Sequence, residues 1–205
     1  MLDTVEVGRF DEQMRHVARH YRPLPLSELL EHAGRGTVPP RALAVTFDDG
    51  YRDNFTHALP VLKSHGVPAT VFVVAGCVGT GTALWHDRAL FAIERARKPS
   101  CSLPGAPRPF DLGSLEARRS AAGAILERLK RMGDPERHAA VRDLFEELDL
   151  DPDSMPRDLM LDWDEVLGMM RGGVEIGSHT VTHPILSRLP ADRVEEELTE
   201  SRKTL

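Results

Sequence analysis

The chain is poor in cysteine. Of its 205 residues only Cys77 and Cys101 carry thiols, and they do not form a Cys-x-x-Cys motif. The expectation is of two unpaired thiols without function, and neither indicates an oxidising compartment. No apolar run approaches the roughly 20 residues of a membrane span, so no such span is expected. The first residues, Met1-Leu2-Asp3-Thr4-Val5-Glu6, lack the basic and apolar regions of a signal peptide, which makes a cytoplasmic chain the default expectation. Positive charge is also scarce. The net charge is −6 and no Lys/Arg cluster stands out, which argues against nucleic acid as a partner. Internal repeats are absent. What remains is ordinary for a soluble globular protein: 41% hydrophobic and 28% charged residues, in a length that fits one domain, 1–205, with a sizeable core.

The patterning is of the α/β class. Residues 10–21 and 26–33 read as short amphipathic helices. After Pro39-Pro40, the apolar run at 42–47 reads as a strand, 53–65 as a helix ending at Gly66, and Ala69–Val74 as a second strand. Such a strand–helix–strand unit predicts parallel neighbours. Residues 85–97, 114–132 and 134–148 have helical spacing between Pro/Gly-rich breaks, so about 80–160 is expected to be a helical insertion. A helix over 163–171 and a third strand over 174–178 follow. The tail from Asp192, with Glu195, Glu196, Glu197 and Glu200, reads as a helix with a solvated charged face. A closed parallel barrel needs about eight strands and about 250 residues, so part of a barrel is expected, stopping early on the C-terminal side.

Chemistry concentrates at Thr46-Phe47-Asp48-Asp49-Gly50-Tyr51 and at Ser178-His179-Thr180-Val181-Thr182-His183-Pro184. Adjacent carboxylates repel, and burying them unpaired costs several kcal/mol, so a cation is expected beside Asp48-Asp49. Both segments follow strands, and α/β folds gather functional groups at the carboxyl ends of strands. Residues i and i+4 share a face of a helical turn, so His179 and His183 can converge on one ion. Two imidazoles and a carboxylate leave a coordination position open, as in catalytic sites for zinc and other divalent ions. His16 and His20 repeat the spacing, but Arg15, Arg19 and Arg22 surround them and no carboxylate pair ends a strand nearby. That pair is not expected to bind metal. The hydroxyls of Ser178, Thr180 and Thr182 could instead satisfy backbone donors as a capping cluster.

Together, Thr46-Phe47-Asp48-Asp49-Gly50 and Ser178-His179-Thr180-Val181-Thr182-His183 resemble the polysaccharide deacetylases of carbohydrate esterase family four, the nodulation-type chitooligosaccharide deacetylase domain. The segment Leu59-Pro60-Val61-Leu62-Lys63 through Val73 is similar to the family's second strand unit, and Trp85-His86-Asp87-Arg88 with the long helical segment to a subgroup associated with bacterial exopolysaccharides. The resemblance implies a distorted (β/α)7 barrel, incomplete in this chain, that hydrolyses acetyl groups from N-acetylated sugars of a polysaccharide or oligosaccharide. It implies Asp49, His179 and His183 as metal ligands and Asp48 as general base. Zinc suits the ligand set best, with cobalt, nickel and iron tolerated. Tyr51 and Trp85 are candidate substrate contacts, and Thr180 and Thr182 candidate supports of the ligand turn.

The departures from the family matter equally. An R-x-P-Y/F-G segment and an L-x-H segment supplying the general acid are expected after the histidines, and neither is present. Leu84-Trp85-His86 fits L-x-H but precedes them, and Arg108-Pro109-Phe110 lacks the other spacing. The chain is thus expected to hold the metal-binding half of a site without the proton-donating half. Two alternatives stay open at this point: a catalytically impaired metal- or glycan-binding module, and a hydrolase of a small non-sugar amide. Aromatic residues make up only 5% of the chain and leave few platforms for sugar stacking, which keeps the second alternative alive. An open barrel edge would also expose strands and invite association into a homo-oligomer.

Overall fold

The strand–helix–strand alternation expected between residues 42 and 74 is present within a longer series of short elements. The computed structural model describes residues 5–205, so Met1–Thr4, which carry part of the signal-peptide expectation, lie outside the described residues. In chain order the elements are α1 (Val7–His20), β1 (Arg22–Pro23), α2 (Leu26–Gly34), β2 (Ala42–Leu43), β3 (Val45–Phe47), α3 (Leu59–His65) and β4 (Ala69–Val73). They continue with α4 (Trp85–Arg95), β5 (Ser100–Cys101), β6 (Phe110–Asp111), α5 (Leu115–Leu129), α6 (Asp134–Glu147), α7 (Trp163–Arg171), β7 (Glu175–Ser178) and α8 (Ala191–Thr204). None of the described helices is long and apolar enough to cross a membrane.

The chain divides into two compact units. One comprises residues 3–82, 158–183 and 195–205. Its centre is a three-stranded parallel sheet in the order β3-β4-β7, with Val45 opposite Ala69 and Val73 opposite Ser178. A parallel strand covered on both faces is expected to be largely apolar, and the middle strand Ala69-Thr70-Val71-Phe72-Val73 is apolar but for Thr70. Val71 and Val73 are fully buried among Leu161, Val166 and Met169. Each such side chain contributes about 1.5–3 kcal/mol. Met14 of α1, Leu62 of α3 and Ala69 belong to a separate apolar cluster. The sheet is open: its three strands do not close into a barrel.

Two expectations are corrected in this unit. The run over 42–47 is not one strand. Ala42–Leu43 pair with Arg22–Pro23, whereas Val45–Phe47 pair with Ala69–Val71. A single apolar run serves two partners, and periodicity does not reveal the exchange. Nor is 53–65 one regular helix: a wider π-turn over Asn54–Ala58 precedes α3. Pro60, in the first turn of α3, has no N–H to give the carbonyl four residues back, so the regular ladder breaks there.

The other unit comprises 83–157 and 184–194. Helices α4, α5 and α6 bury Ile93, Ile125, Leu129, Leu144 and Phe145, beside a short antiparallel pair, β5 and β6. Ser114 starts α5, its Oγ accepting from the Ala117 amide at 3.0 Å. Arg137 is fully buried, paired with Asp134 and stacked 4.9 Å from the centre of the Trp85 ring. Cys101 is buried here, and that burial, reinforced by Glu147, pushes its thiol up to about 11. Neither cysteine takes part in a disulfide.

Candidate functional site

The carboxyl ends of β3, β4 and β7 build one site. Asp48 follows β3 and is exposed, and its carbonyl accepts from the Gly50 amide at 2.9 Å. Asp49 therefore sits at the centre of a three-residue turn, with φ of 72°. Such γ-turns are rare and strained, and the turn reverses the chain so that successive carboxylates are no longer bound to strand alternation. Gly50 is required by space as well as by its φ of 80°, because a Cβ there would lie 2.9 Å from Val73 Cγ1.

The continuation of β4 ties both ligand segments together. The Val74 amide donates to the Asp49 carbonyl at 3.3 Å, and His179 donates to the Val73 carbonyl at 2.8 Å. Ala75 and Gly76 then donate to the carbonyls of Thr180 and Val181, at 3.0 and 2.9 Å. Gly76 has no room for a side chain either: a Cβ would lie 2.6 Å from the Val181 oxygen.

The histidines converge, but not on a helical turn as expected. Residues 179–185 are irregular, and Thr180 and His183 adopt left-handed φ values of 67° and 58°. The His183 amide donates to Thr180 Oγ1 at 3.1 Å, which closes the loop through a side chain instead of a helical hydrogen bond. The imidazole centres stand 5.1 Å apart. Asp49 Oδ1 lies 3.5 Å from His179 Nε2 and 3.2 Å from His183 Nε2. One ligand atom from each of the three residues falls within 4.8 Å of the others. Ligand bonds of about 2.0–2.1 Å in a tetrahedron give edges of about 3.3–3.4 Å, so the carboxylate–imidazole spacings fit a first-row divalent ion. The three side chains are 35%, 22% and 18% exposed for His179, His183 and Asp49, partly open to solvent.

A group overlooked in the sequence braces this loop. Glu197 was expected on a solvated face, yet it is 4% exposed. Its Oε2 accepts from the amides of Val181 and Thr182 at 2.7 and 2.9 Å, and its Oε1 accepts from Thr182 Oγ1 at 2.6 Å. One turn on, Ser201 Oγ accepts from Ser178 Oγ at 2.6 Å. A signal existed: Val194, Glu197 and Ser201 recur at i, i+3 and i+7, so they share one side of the helix.

The remaining candidates separate. Tyr51 forms an isolated antiparallel bridge with Met160 and lines a cavity of about 370 Å³ with Arg52, His57 and Asp158. Arg52 donates to Glu165 at 2.7 Å, and that hydrogen bond and charge raise its pKa. Trp85, expected at a sugar-binding rim, is 6% exposed and packs in the helical unit with the Arg137 guanidinium over its ring, which leaves little ring face for a pyranose. The rings of His16 and His20 lie 4.5 Å apart on α1, tilted by 38°, both exposed, and form no metal-type cluster with an acid or thiol among the described residues.

Comparisons with known proteins agree with these motifs. The family profile described as polysaccharide deacetylase matches residues 35–205. A poly-beta-1,6-N-acetyl-D-glucosamine N-deacetylase of Staphylococcus aureus is 32% identical over 77 residues, 37% of this chain and 27% of that protein. The solved structure of the Streptococcus pyogenes deacetylase PplD in complex with acetate superposes with a TM-score of 0.57 at 17% identity, over 97% of this chain and 56% of that one. The chain thus spans about half the length of that structural relative, which it resembles in fold. With the profile covering most of its length and both strand-end motifs, the chain belongs to the polysaccharide deacetylase family.

Proposed function

We propose that this chain carries the metal-holding portion of a hydrolase that removes N-acetyl groups from sugars of a polysaccharide. The observation that supports the reading most is the meeting of Asp49, His179 and His183 within 4.8 Å, from two segments far apart in the sequence. In the same reading, the three-stranded sheet is a portion of the distorted (β/α)7 barrel of the family, and residues of about 80–160 are its helical insertion. Two imidazoles and a carboxylate suit zinc, with cobalt, nickel or iron as substitutes.

The roles are those the family resemblance implies, and the arrangement is consistent with them. Asp49, His179 and His183 would hold a divalent ion, which would supply Lewis acidity to the amide carbonyl and lower the pKa of a bound water. Asp48, adjacent to the ligand carboxylate and exposed, accepts the proton of the attacking water. As the water oxygen joins the acetyl carbon and the C–N bond breaks, the proton taken up by Asp48 is passed on through solvent to the departing nitrogen, and acetate and an amino sugar leave. Tyr51 contacts the sugar from its cavity wall. Thr180 and Thr182 hold the ligand loop through His183 and Glu197 respectively.

The test is acetate release from poly-N-acetylglucosamine and acetylated chitooligosaccharides, with zinc or cobalt added and metal content measured on the same samples. Asp49→Ala is expected to lose both metal and turnover. Asp48→Asn is expected to keep the metal and lose turnover by about 10²–10⁴-fold. Loss of metal from Asp48→Asn as complete as from Asp49→Ala would refute the division of roles. Full metal loading without acetate release from any acetylated glycan would favour the catalytically impaired binding module over an active enzyme.

A further inference from the structure

We propose that Glu197 is a positioning residue for the metal ligands, acting through the backbone between them. The inference rests on the metal-site reading above and extends it to a residue on a different element, α8. Its carboxylate is buried and accepts three hydrogen bonds, all from Val181 and Thr182, the residues midway between His179 and His183. No other acidic side chain of α8 is buried.

The loop needs such a brace. Thr180 and His183 both hold left-handed φ values, which cost about 1–3 kcal/mol each and persist only when surroundings over-determine them. On one side the loop is held by Ala75 and Gly76, which donate to the carbonyls of Thr180 and Val181. Those bonds satisfy the carbonyls only. The amides of Val181 and Thr182 point the other way, and Glu197 satisfies both. The peptide units between the histidines are thereby held from two directions, which sets the angle at which the two imidazoles face Asp49. A carboxylate suits this task because it has acceptor oxygens for three donors at once and no proton to present to them. Hydrogen bonds to a charged acceptor are also stronger than neutral ones.

The experiment compares the wild-type chain with Glu197→Ala, Glu197→Gln and Ser201→Ala. Cobalt affinity is measured by titration, and the thermal midpoint on metal-free protein. Groups that orient metal ligands typically account for about 10–100-fold in affinity. Glu197→Ala is expected to weaken cobalt binding by that factor. Glu197→Gln, which keeps an acceptor oxygen but turns an N–H towards the loop, is expected to recover part of it. Ser201→Ala removes a different hydrogen bond between the same helix and the end of β7, so it is expected to lower the thermal midpoint and leave cobalt affinity within about two-fold. Should Glu197→Ala fail to fold, amide exchange on metal-free Glu197→Gln decides: faster exchange at Val181 and Thr182 supports the proposal, and unchanged exchange overturns it. Wild-type affinity in Glu197→Ala would overturn the positioning role alone, as would an equal loss in Ser201→Ala. A wild-type chain that binds no cobalt would overturn both this inference and the metal site beneath it.

Discussion

The two ends of the three-stranded sheet each carry an acid on a strand or just beyond it, and they treat it in opposite ways. At the amino end, Glu175 opens β7 opposite Thr70 and accepts from Thr70 Oγ1 at 2.9 Å, from the Ser27 hydroxyl and from the Ser27 amide at 3.3 Å. Its neighbours are hydroxyls and an amide, and their hydrogen bonds complete it. At the carboxyl end, Asp49 faces two imidazoles instead, from a strained turn. Of the five described non-glycine residues with positive φ, Asp49, Thr180 and His183 are all at that end. Backbone strain gathers where function does, and in parallel α/β folds the carboxyl ends of strands carry chemistry while the opposite ends carry stability. The difference teaches that a half-buried acid is read by its neighbours: hydroxyls mark a structural carboxylate, and converging imidazoles mark a candidate ligand.

The largest effect expected from breaking this contrast is at the imidazoles. His179→Ala or His183→Ala is expected to abolish stoichiometric zinc content by elemental analysis of dialysed protein. The double substitution His16→Ala/His20→Ala is expected to leave it unchanged, although that pair has the same sequence spacing and rings that are closer, at 4.5 Å. Loss of zinc from the α1 double variant would move the site and end the comparison.

The sequence made the candidate ligands legible and left their supports hidden. Asp49, His179 and His183 stand out because acids and imidazoles at strand ends have few structural uses, and the two apolar strands before them follow from periodicity. The geometry that joins them was not legible. The i, i+4 spacing suggests a helical turn at His179–His183, but the loop reaches convergence through two left-handed residues and a threonine hydroxyl, which no periodicity encodes. Glu197 was hidden in a run of acids where composition favours a solvated face, and only its helical spacing from Val194 and Ser201 sets it apart from Glu195 and Glu196. Trp85 was left undecided between a sugar contact and packing for the converse reason. An aromatic residue suits both a sugar platform and a core, and the buried guanidinium of Arg137, which selects the core, lies on another helix.

A smaller effect is expected from crowding the site end without touching a ligand. Gly76→Ala places a Cβ 2.6 Å from the Val181 carbonyl oxygen, a backbone atom that cannot swing aside. The loop must shift, and overpacking of this kind costs about 1–3 kcal/mol. Denaturant midpoints and cobalt titration are both expected to fall. Gly123→Ala in α5 is the control, because nothing lies within 4 Å of its Cβ. There the helix propensity of alanine is expected to be neutral or to add up to about 1 kcal/mol. A Gly76→Ala chain as stable and as metal-competent as the wild type would mean that the strand-end bonds to Thr180 and Val181 do not position the ligands.

The smallest effect is expected at the amino end, and it depends on pH. Burial pushes the Glu175 carboxyl up, but the hydrogen bonds from Ser27 and Thr70 outweigh it and hold the group below its ordinary 4.5. A carboxyl whose folded pKa is depressed contributes stability above the unfolded value, and that contribution fades as pH falls through the folded one. Glu175→Gln removes it. The variant is therefore expected to be less stable than the wild type at pH 7, with the gap narrowing below pH 4.5 as the wild-type carboxyl protonates. Urea midpoints at pH 7 and pH 3 measure the two gaps, and zinc content at pH 7 is expected to be unaffected because the ligands sit at the other end of the strands. Equal gaps at both pH values would show that the carboxylate charge contributes nothing there. Loss of zinc in the variant would show that the two ends are not independent, and the division between a stabilising edge and a chemical one would fail.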